Sequence, residues 1–302
     1  MPANVMSALH VTDIPIDPRV NMLTVDVECW DQIICRKLTG ELIAPSRSTL
    51  QRTRALLALL RERGAKATFF LVGTVAEAFP ELVREIDGDG HEVAAHGYSH
   101  IPLTRMTRED FRKEVQQVRD LLIDILGKPV IGFRAPEFSV VRETIWALDI
   151  LRENGFRYDS SIFPRSGPRH AMTDFPPNVA RIGSDRDAFL EVPPSTVHVL
   201  GRTLPAAGGG YFRLMPYRLI RRAVRSVNRS ARPFVLYCHP YEFGPDRLTC
   251  EGFPGSASQF SAARAEFRFN LFRRSVTPKL TRLLGEFPFS SVREVLGDAL
   301  AT

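Results

Sequence analysis

The sequence predicts an α/β fold, a distorted (β/α)7–8 barrel made as a single domain. Short β-branched and apolar runs alternate with longer stretches of helical periodicity from Met22 to the end of the chain, the pattern of a parallel sheet covered by helices. About seven or eight such units fit in one chain of this size, which suits a closed barrel better than an open sheet. No composition break marks a second domain and no internal repeat stands out. Residues 1–20 read as an N-terminal lead-in with prolines and little pattern, and 21–302 as the barrel.

Taken in order, Met22–Val27 is β-rich and forms the first strand, and a polar stretch follows it. Ser46 or Ser48 caps a helix whose leucines reach to Arg63, with Gly64 as its stop. Ala67–Leu71 is a strand, Thr74–Ile86 a short helix and Glu92–Ala95 the next strand. Thr107 followed by Glu109 and Asp110 is a strong helix start, and Phe111, Val115, Val118 and Leu122 mark the apolar side up to Gly127. Val130–Phe133 is a strand, Arg142–Asn154 a helix and Phe156–Asp159 a strand. Prolines break 160–187 into loop. Phe189–Val192 and Phe234–Tyr237 are strands on either side of a helix from Pro216. Ser258 or Ser261 opens another helix, Thr277-Pro278 starts a further one, Phe287–Ser290 is a strand and 292–296 a closing helical turn.

At 44% hydrophobic and 25% charged residues the chain has the composition of an ordinary globular protein. The net charge of +6 suits an acidic substrate or an anionic surface. There is no run of basic residues and no nucleic-acid module, so nucleic acid is not an expected partner. Cys29, Cys35, Cys238 and Cys250 form no CxxC pair, and the first twenty residues lack the basic and apolar regions of a signal peptide. No apolar run approaches the ~20 residues of a membrane span. The expected location is the cytoplasm, including the cytoplasmic face of the inner membrane.

In a barrel of this kind chemistry belongs at the C-terminal ends of the strands. The first strand ends Asp26-Val27-Glu28, and side chains two apart in a strand share a side. The third delivers His96 and His100 in His96-Gly97-Tyr98-Ser99-His100, with Gly97 allowing the chain to turn at once. Further strands deliver Arg134, Asp159 and His239. Two histidines and a carboxylate, completed by water, make an open catalytic metal site. The second carboxylate can then serve as general base, kept ionised by a buried arginine, and a separate histidine, oriented by a carboxylate, as general acid. These are the parts for metal-assisted hydrolysis of an amide or ester.

In order and together, these motifs resemble the polysaccharide deacetylases of carbohydrate esterase family four. The resemblance covers roughly Leu23 to Pro240 and rests on Asp26-Val27-Glu28, His96–His100, Arg134-Ala135-Pro136, Tyr158-Asp159-Ser160-Ser161 and Leu236–Pro240. The Asp-x-Glu form, Gly208–Arg213 and Pro216-Tyr217 are similar to a bacterial subgroup associated with exopolysaccharide loci. The resemblance implies a divalent metal, zinc first with cobalt, nickel or manganese as alternatives, and removal of acetyl from N-acetylated amino sugars of a bacterial glycan or its lipid-linked precursor. Position by position it makes Asp26 the base, Glu28, His96 and His100 the metal ligands, Arg134 the residue that tunes Asp26, His239 the acid and Asp159 its orienting partner. Water attacks the acetyl carbonyl, Asp26 takes its proton and His239 protonates the departing amine.

Three departures from the family pattern stand out. Glu28 replaces an aspartate, so the roles of Asp26 and Glu28 are open to exchange. Gly97 replaces a serine or threonine that would brace the loop. The tryptophan common near the fourth motif is absent, which leaves one cleft wall unassigned. The alternatives are the same scaffold acting on a non-sugar amide such as a cyclic ureide, and a catalytically inactive glycan-binding protein.

Several residues invite a functional reading that the pattern does not favour. Cys29 and Cys238 lie beside the site residues and could be taken for metal ligands, but Cys29 follows Glu28, should point to the other face of the strand and reads as buried filler. His91 and His198 read as ordinary residues. Arg218, Arg221, Arg222, Arg225 and Arg229 recur on one side of a helix and read first as a solvated face. A sharper alternative is docking on anionic lipid or on a diphosphate-linked glycan.

Overall fold

The computed structural model describes residues 9–167, 170–183, 189–206, 208–255 and 258–300. In chain order the elements begin with β1 (Val11–Asp13), β2 (Asn21–Val27), α1 (Trp30–Thr39), α2 (Arg47–Arg63) and β3 (Thr68–Leu71). Then come α3 (Gly73–Ala78), α4 (Pro80–Gly88), β4 (Glu92–Ala95), α5 (Arg108–Leu126), β5 (Gly132–Phe133), α6 (Ala147–Glu153) and β6 (Tyr158–Asp159). The second half holds β7 (Ala180–Ile182), β8 (Phe189–Glu191), β9 (Thr196–Val199), β10 (Arg202–Pro205), α7 (Gly209–Leu214) and α8 (Tyr217–Arg229). It closes with β11 (Val235–Cys238), α9 (Gln259–Asn270), α10 (Val276–Glu286), β12 (Phe289–Ser290) and α11 (Val292–Leu296).

Seven strands, in the order β8-β6-β5-β4-β3-β2-β11, run parallel. The sheet curls until its two ends meet without a strand ladder. Ser195 bridges the gap instead: its N–H donates to the Val235 carbonyl at 3.2 Å and its hydroxyl accepts from the Val235 N–H at 2.8 Å. This is the distorted barrel expected from the sequence.

The interior follows the two-residue period of a strand. Met22, Phe70, Ala94, Tyr158, Leu190 and Val235 form one packed cluster, closed by Val292 and Leu296 of α11. The start of α11 is pinned where the barrel strands begin, Val292 N–H donating to the Thr68 hydroxyl and Arg293 N–H to Glu92. Along β2 the same alternation continues past Met22 through Thr24 to Asp26, so the carboxylate emerges at the opposite end of the barrel. Leu23, Val25 and Val27 face outward into the helical layer.

The helices form where local chemistry favours them. Thr107 caps α5, its hydroxyl accepting from the Asp110 N–H at 3.1 Å while Asp110 accepts from the Thr107 N–H at 3.3 Å. Each such cap contributes about 1 kcal/mol. The stretch predicted as one helix over 74–86 is two, α3 and α4, because Pro80 cannot continue α3 and instead starts α4. The helix predicted over 142–154 is a short 3-10 turn followed by α6.

The lead-in expectation is corrected in part. Residues 1–8 lie outside the described residues, but Val11–Asp13 pair antiparallel with β7 and extend the sheet edge. β7 itself lies in the stretch expected to be loop, of which 168–169 and 184–187 are outside the described residues. The polar stretch after the first strand contains α1, and β9 and β10 make a separate hairpin. The predicted helix from Pro216 is α8. It buries Ile220, Ala223, Val224 and Val227 and pairs Arg221 with Glu286 at 2.6 Å. Its apolar side is thus committed to the core, the remaining arginines form a hydrated face, and membrane contact gains no support. Among the described residues no helix is long and apolar enough to cross a membrane.

Candidate metal centre and its surroundings

The chain turns sharply at the end of β2, the Glu28 N–H bonding back to the Asp26 carbonyl at 3.0 Å. Asp26 and Glu28 are both buried and face one cavity. His96 continues the line of β4, its N–H donating to the Leu71 carbonyl at 2.8 Å. His100 ends the loop after it. The ligand atoms of Glu28, His96 and His100 all lie within 4.8 Å of one another.

Their protonation fits a cation. His96 Nδ1 sits 2.7 Å from the Arg134 carbonyl. A carbonyl only accepts, so Nδ1 carries the proton and Nε2 keeps its lone pair, 3.9 Å from Glu28 Oε2. His100 Nε2 is 2.5 Å from the same oxygen, yet neither of its buried ring nitrogens completes a hydrogen bond among the described residues. An unsatisfied buried polar atom costs roughly 1–3 kcal/mol, a penalty that a divalent ion at this point would relieve. Burial pushes the Glu28 carboxyl up, but the positive character of His100 and His239 beside it holds it well below the usual carboxylate range. The donor set, one carboxylate and two imidazoles, is that of an open catalytic site.

The loop carrying His100 needs bracing, because Gly97 and His100 both have positive φ, 69° and 55°, and His100 has no glycine's freedom there. Two side chains replace the hydroxyl missing at Gly97. Arg36 of α1 donates to the carbonyls of Ser99 and His100 at 2.7 and 2.5 Å. Glu114 of α5 accepts from the N–H groups of Tyr98 and Ser99 at 2.9 and 3.0 Å and from the Ser99 hydroxyl. Glu114→Ala is expected to weaken metal binding by about 10–100-fold, measured by competition against a chelating dye. An unchanged affinity in a folded variant would show that the loop holds its shape unaided.

Arg134 is wholly buried and uses its whole fork. It donates to Asp26 Oδ1 at 2.7 Å, to the Thr24 hydroxyl at 2.9 Å, and to the Ser160 hydroxyl and carbonyl at 2.7 and 3.1 Å. It lies 4.1 Å over the Phe70 ring. Asp26 therefore has one oxygen committed to Arg134, while its other oxygen, Oδ2, lies 4.0 Å from His239 Nε2.

The expected role of Asp159 is corrected. It does not line the cavity, and the carboxylate bonded to His239 is Glu242. Asp159 Oδ1 accepts from the Ser161 hydroxyl at 2.5 Å, and that hydroxyl accepts from the Ala135 N–H at 2.6 Å. Its β-sheet partner is Glu191. Burial raises Asp159 to about 6, and burial with the neighbouring Asp159 charge raises Glu191 well above the carboxylate range, so the pair holds one proton near neutrality. By register Asp159 is level with Val27 and Ala95, but it adjoins inward-facing Tyr158 and so falls on the outward-facing row of its strand, away from His239. It anchors the backbone beside Arg134 instead.

His239 follows β11. Its backbone N–H donates to Glu242 Oε2 at 3.0 Å, and its Nδ1 lies 3.2 Å from the same oxygen. Nε2 faces the cavity, 3.8 Å from Glu28 Oε1. Tyr241 stacks on the ring at 4.7 Å and 15°. Burial lowers the imidazole, but Glu28, Glu242 and Asp26 outweigh it and raise His239 to about 9. The signal for Glu242 was available in the sequence, an acid three residues after the histidine. The Gly208–Arg213 segment supports the same arm. Gly208 packs so closely that a Cβ would lie 1.8 Å from the Tyr237 carbonyl, and Arg213 of α7 is buried 3.9 Å from Glu242.

Asp26, Glu28, His96, His100 and His239 thus share one cavity of about 130 Å³. Its aromatic walls come from Trp30, Phe138, Tyr241 and Phe269. Trp30 and Phe269 pack edge to face, 5.9 Å apart. The cysteines take no part: all four are free thiols, and Cys29 and Cys238 are buried, with burial raising the Cys238 thiol well above its usual range. His91 accepts from the Ala67 N–H at 3.2 Å, and burial with Lys66 lowers it to about 4, a neutral structural residue. His198 lies exposed on β9.

Comparison with known proteins agrees with this architecture. Residues 45–158 match the family described as polysaccharide deacetylase, and residues 160–297 match a family described as domain of unknown function (DUF3473). A peptidoglycan deacetylase of Helicobacter pylori is 34% identical over 130 residues, 42% of this chain and 40% of that protein. A peptidoglycan-N-acetylglucosamine deacetylase of Bacillus cereus is 31% identical over 101 residues, 33% of this chain and 37% of that protein. The chain thus matches well under two thirds of the length of these curated relatives. A crystal structure from Mycobacterium smegmatis carrying the polysaccharide deacetylase name superposes with a TM-score of 0.63 at 19% identity, over 97% of this chain and 96% of the other, and shows the shared fold. Residues 45–158 are thus similar to polysaccharide deacetylases, and the chain shares the fold of a structure that carries that name.

Proposed function

We propose that the protein is a metal-dependent N-deacetylase that hydrolyses the acetamide of an N-acetylated amino sugar in a glycan. The observation that carries this is the convergence of Glu28, His96 and His100 beside the Asp26–Arg134 and His239–Glu242 pairs in one buried cavity. A divalent cation held by Glu28, His96 and His100 supplies Lewis acidity toward the acetyl carbonyl and its attacking water. Asp26, fixed through Oδ1 by Arg134, takes the proton of that water at Oδ2. His239, held by Glu242 behind and Tyr241 alongside, donates its Nε2 proton to the departing nitrogen. The aromatic walls orient the sugar and exclude bulk water.

The names of the relatives support a sugar amide over other amides. Similarity of the Asp26-Val27-Glu28 and Gly208–Arg213 motifs to exopolysaccharide-locus deacetylases makes a bacterial surface glycan or its lipid-linked precursor the first substrate to try. The test is acetate release from N-acetylated oligosaccharides, expected with added zinc and lost after complete chelation. Hydrolysis that survives full metal removal refutes the mechanism.

A further inference from the structure

Beyond the metal cavity lies a second, larger depression of about 720 Å³, within the ~300–1,000 Å³ typical of small-molecule sites. Ile34, Lys37, Glu137 and Phe269 line both, so the two are continuous. One wall is α9, where Ser261, Arg264, Ala265 and Arg268 recur at the spacing of a single helix face. The small side chains keep that wall low and two guanidinium groups flank it. Arg105 also lines the groove, shortly after the His100 ligand.

The charge in this groove is unbalanced. Its acid is Glu137, and Glu137 is paired with Lys37 at 2.6 Å. Arg105, Arg264 and Arg268 are exposed, and among the described residues no carboxylate lies within ion-pair distance of them. Some exposed arginines elsewhere pair with acids, as in Arg61–Asp89, Arg152–Asp149 and Arg282–Glu286. The unpaired arginines of α8 border a groove of their own with no residue in common with the metal cavity. A cleft lined by one sign of charge concentrates ligands of the other, and guanidinium groups bind carboxylate and phosphate bidentately.

From this we infer that the groove takes an anionic group of the substrate, so that the preferred glycan carries a carboxylate or phosphate next to the N-acetylated sugar. The inference rests on the deacetylase reading for the chemistry, but not for the binding. The groove's arginines act as specificity residues, with no part in bond cleavage.

The test is calorimetric binding to the zinc-loaded protein at low salt. Three probes are needed: oligosaccharides alternating N-acetylglucosamine with a uronic acid, the same chains with methyl-esterified carboxyls, and a nucleoside-diphosphate N-acetylglucosamine. A charged probe is expected to bind about 10-fold or more tightly than the ester, with the advantage fading as salt rises. A gain for the uronate alone assigns a carboxylate, and one for the diphosphate alone a phosphate. The advantage should disappear in Arg264→Gln/Arg268→Gln and, independently, in Arg105→Gln. Equal binding of charged and esterified chains, no binding of any charged probe, or an advantage that survives both variants overturns the inference. Acetate is measured in the same samples. Charge preference without acetate release sinks the deacetylase reading alone, and acetate release without charge preference sinks the groove alone.

Discussion

Asp26→Asn is expected to lower acetate release by about 10²–10⁴-fold while metal content stays near that of the wild type. Glu28→Ala is expected to lose the metal and the activity together. The asymmetry follows from where the two carboxylates point. Glu28 Oε2 lies between His96 and His100, at 3.9 and 2.5 Å from their Nε2 atoms, whereas Asp26 has one oxygen bonded to Arg134 and the other toward His239. Asparagine at position 26 keeps an acceptor for the buried guanidinium, so the fold should survive, although removing the charge from a buried pair can cost about 3–5 kcal/mol. The melting temperature of each variant therefore has to accompany the kinetics. Metal analysis decides the assignment: loss of metal in Asp26→Asn with retention in Glu28→Ala would exchange the two roles.

His239→Ala should lower kcat by a comparable factor, about 10²–10⁴, and the loss should shrink for substrates whose leaving nitrogen needs less help from an acid. Glu242→Gln gives the more specific readout. Burial opposes the charged imidazole, and Glu28 and Glu242 overcome it, so the folded protein holds the His239 proton more tightly than the unfolded chain does. Replacing Glu242 by glutamine keeps an acceptor near Nδ1 but removes the negative charge. The proton is then held less tightly, and the alkaline limb of the kcat profile should move to lower pH. A limb that stays in place while kcat falls would show that Glu242 only positions the ring, and one unmoved at unchanged kcat would remove it from the mechanism.

The chain's own order of residues determined the alternation of strand and helix, and with it the barrel. It also placed Asp26, Glu28, His96, His100, Arg134 and His239 at strand ends, because a two-residue period and parallel pairing bring those ends to one rim. Nothing local announces contacts between residues far apart in the chain, and those were decided by the packed structure. Asp159 looked like a partner for His239, but it falls on the outward-facing row of its strand with Ser161 and Glu191, while Glu242 takes its expected place. The brace on the His100 loop comes from Arg36 and Glu114, on helices that have no motif of their own. The aromatic wall and the basic groove come from α1 and α9, whose residues meet the metal cavity only because the helices fold over the open end of the barrel. Periodicity is a local property and can be read along the chain. A hydrogen bond between Glu114 and Ser99, or a groove shared by Arg105 and Arg264, depends on how elements dock, and that is a property of the packed whole.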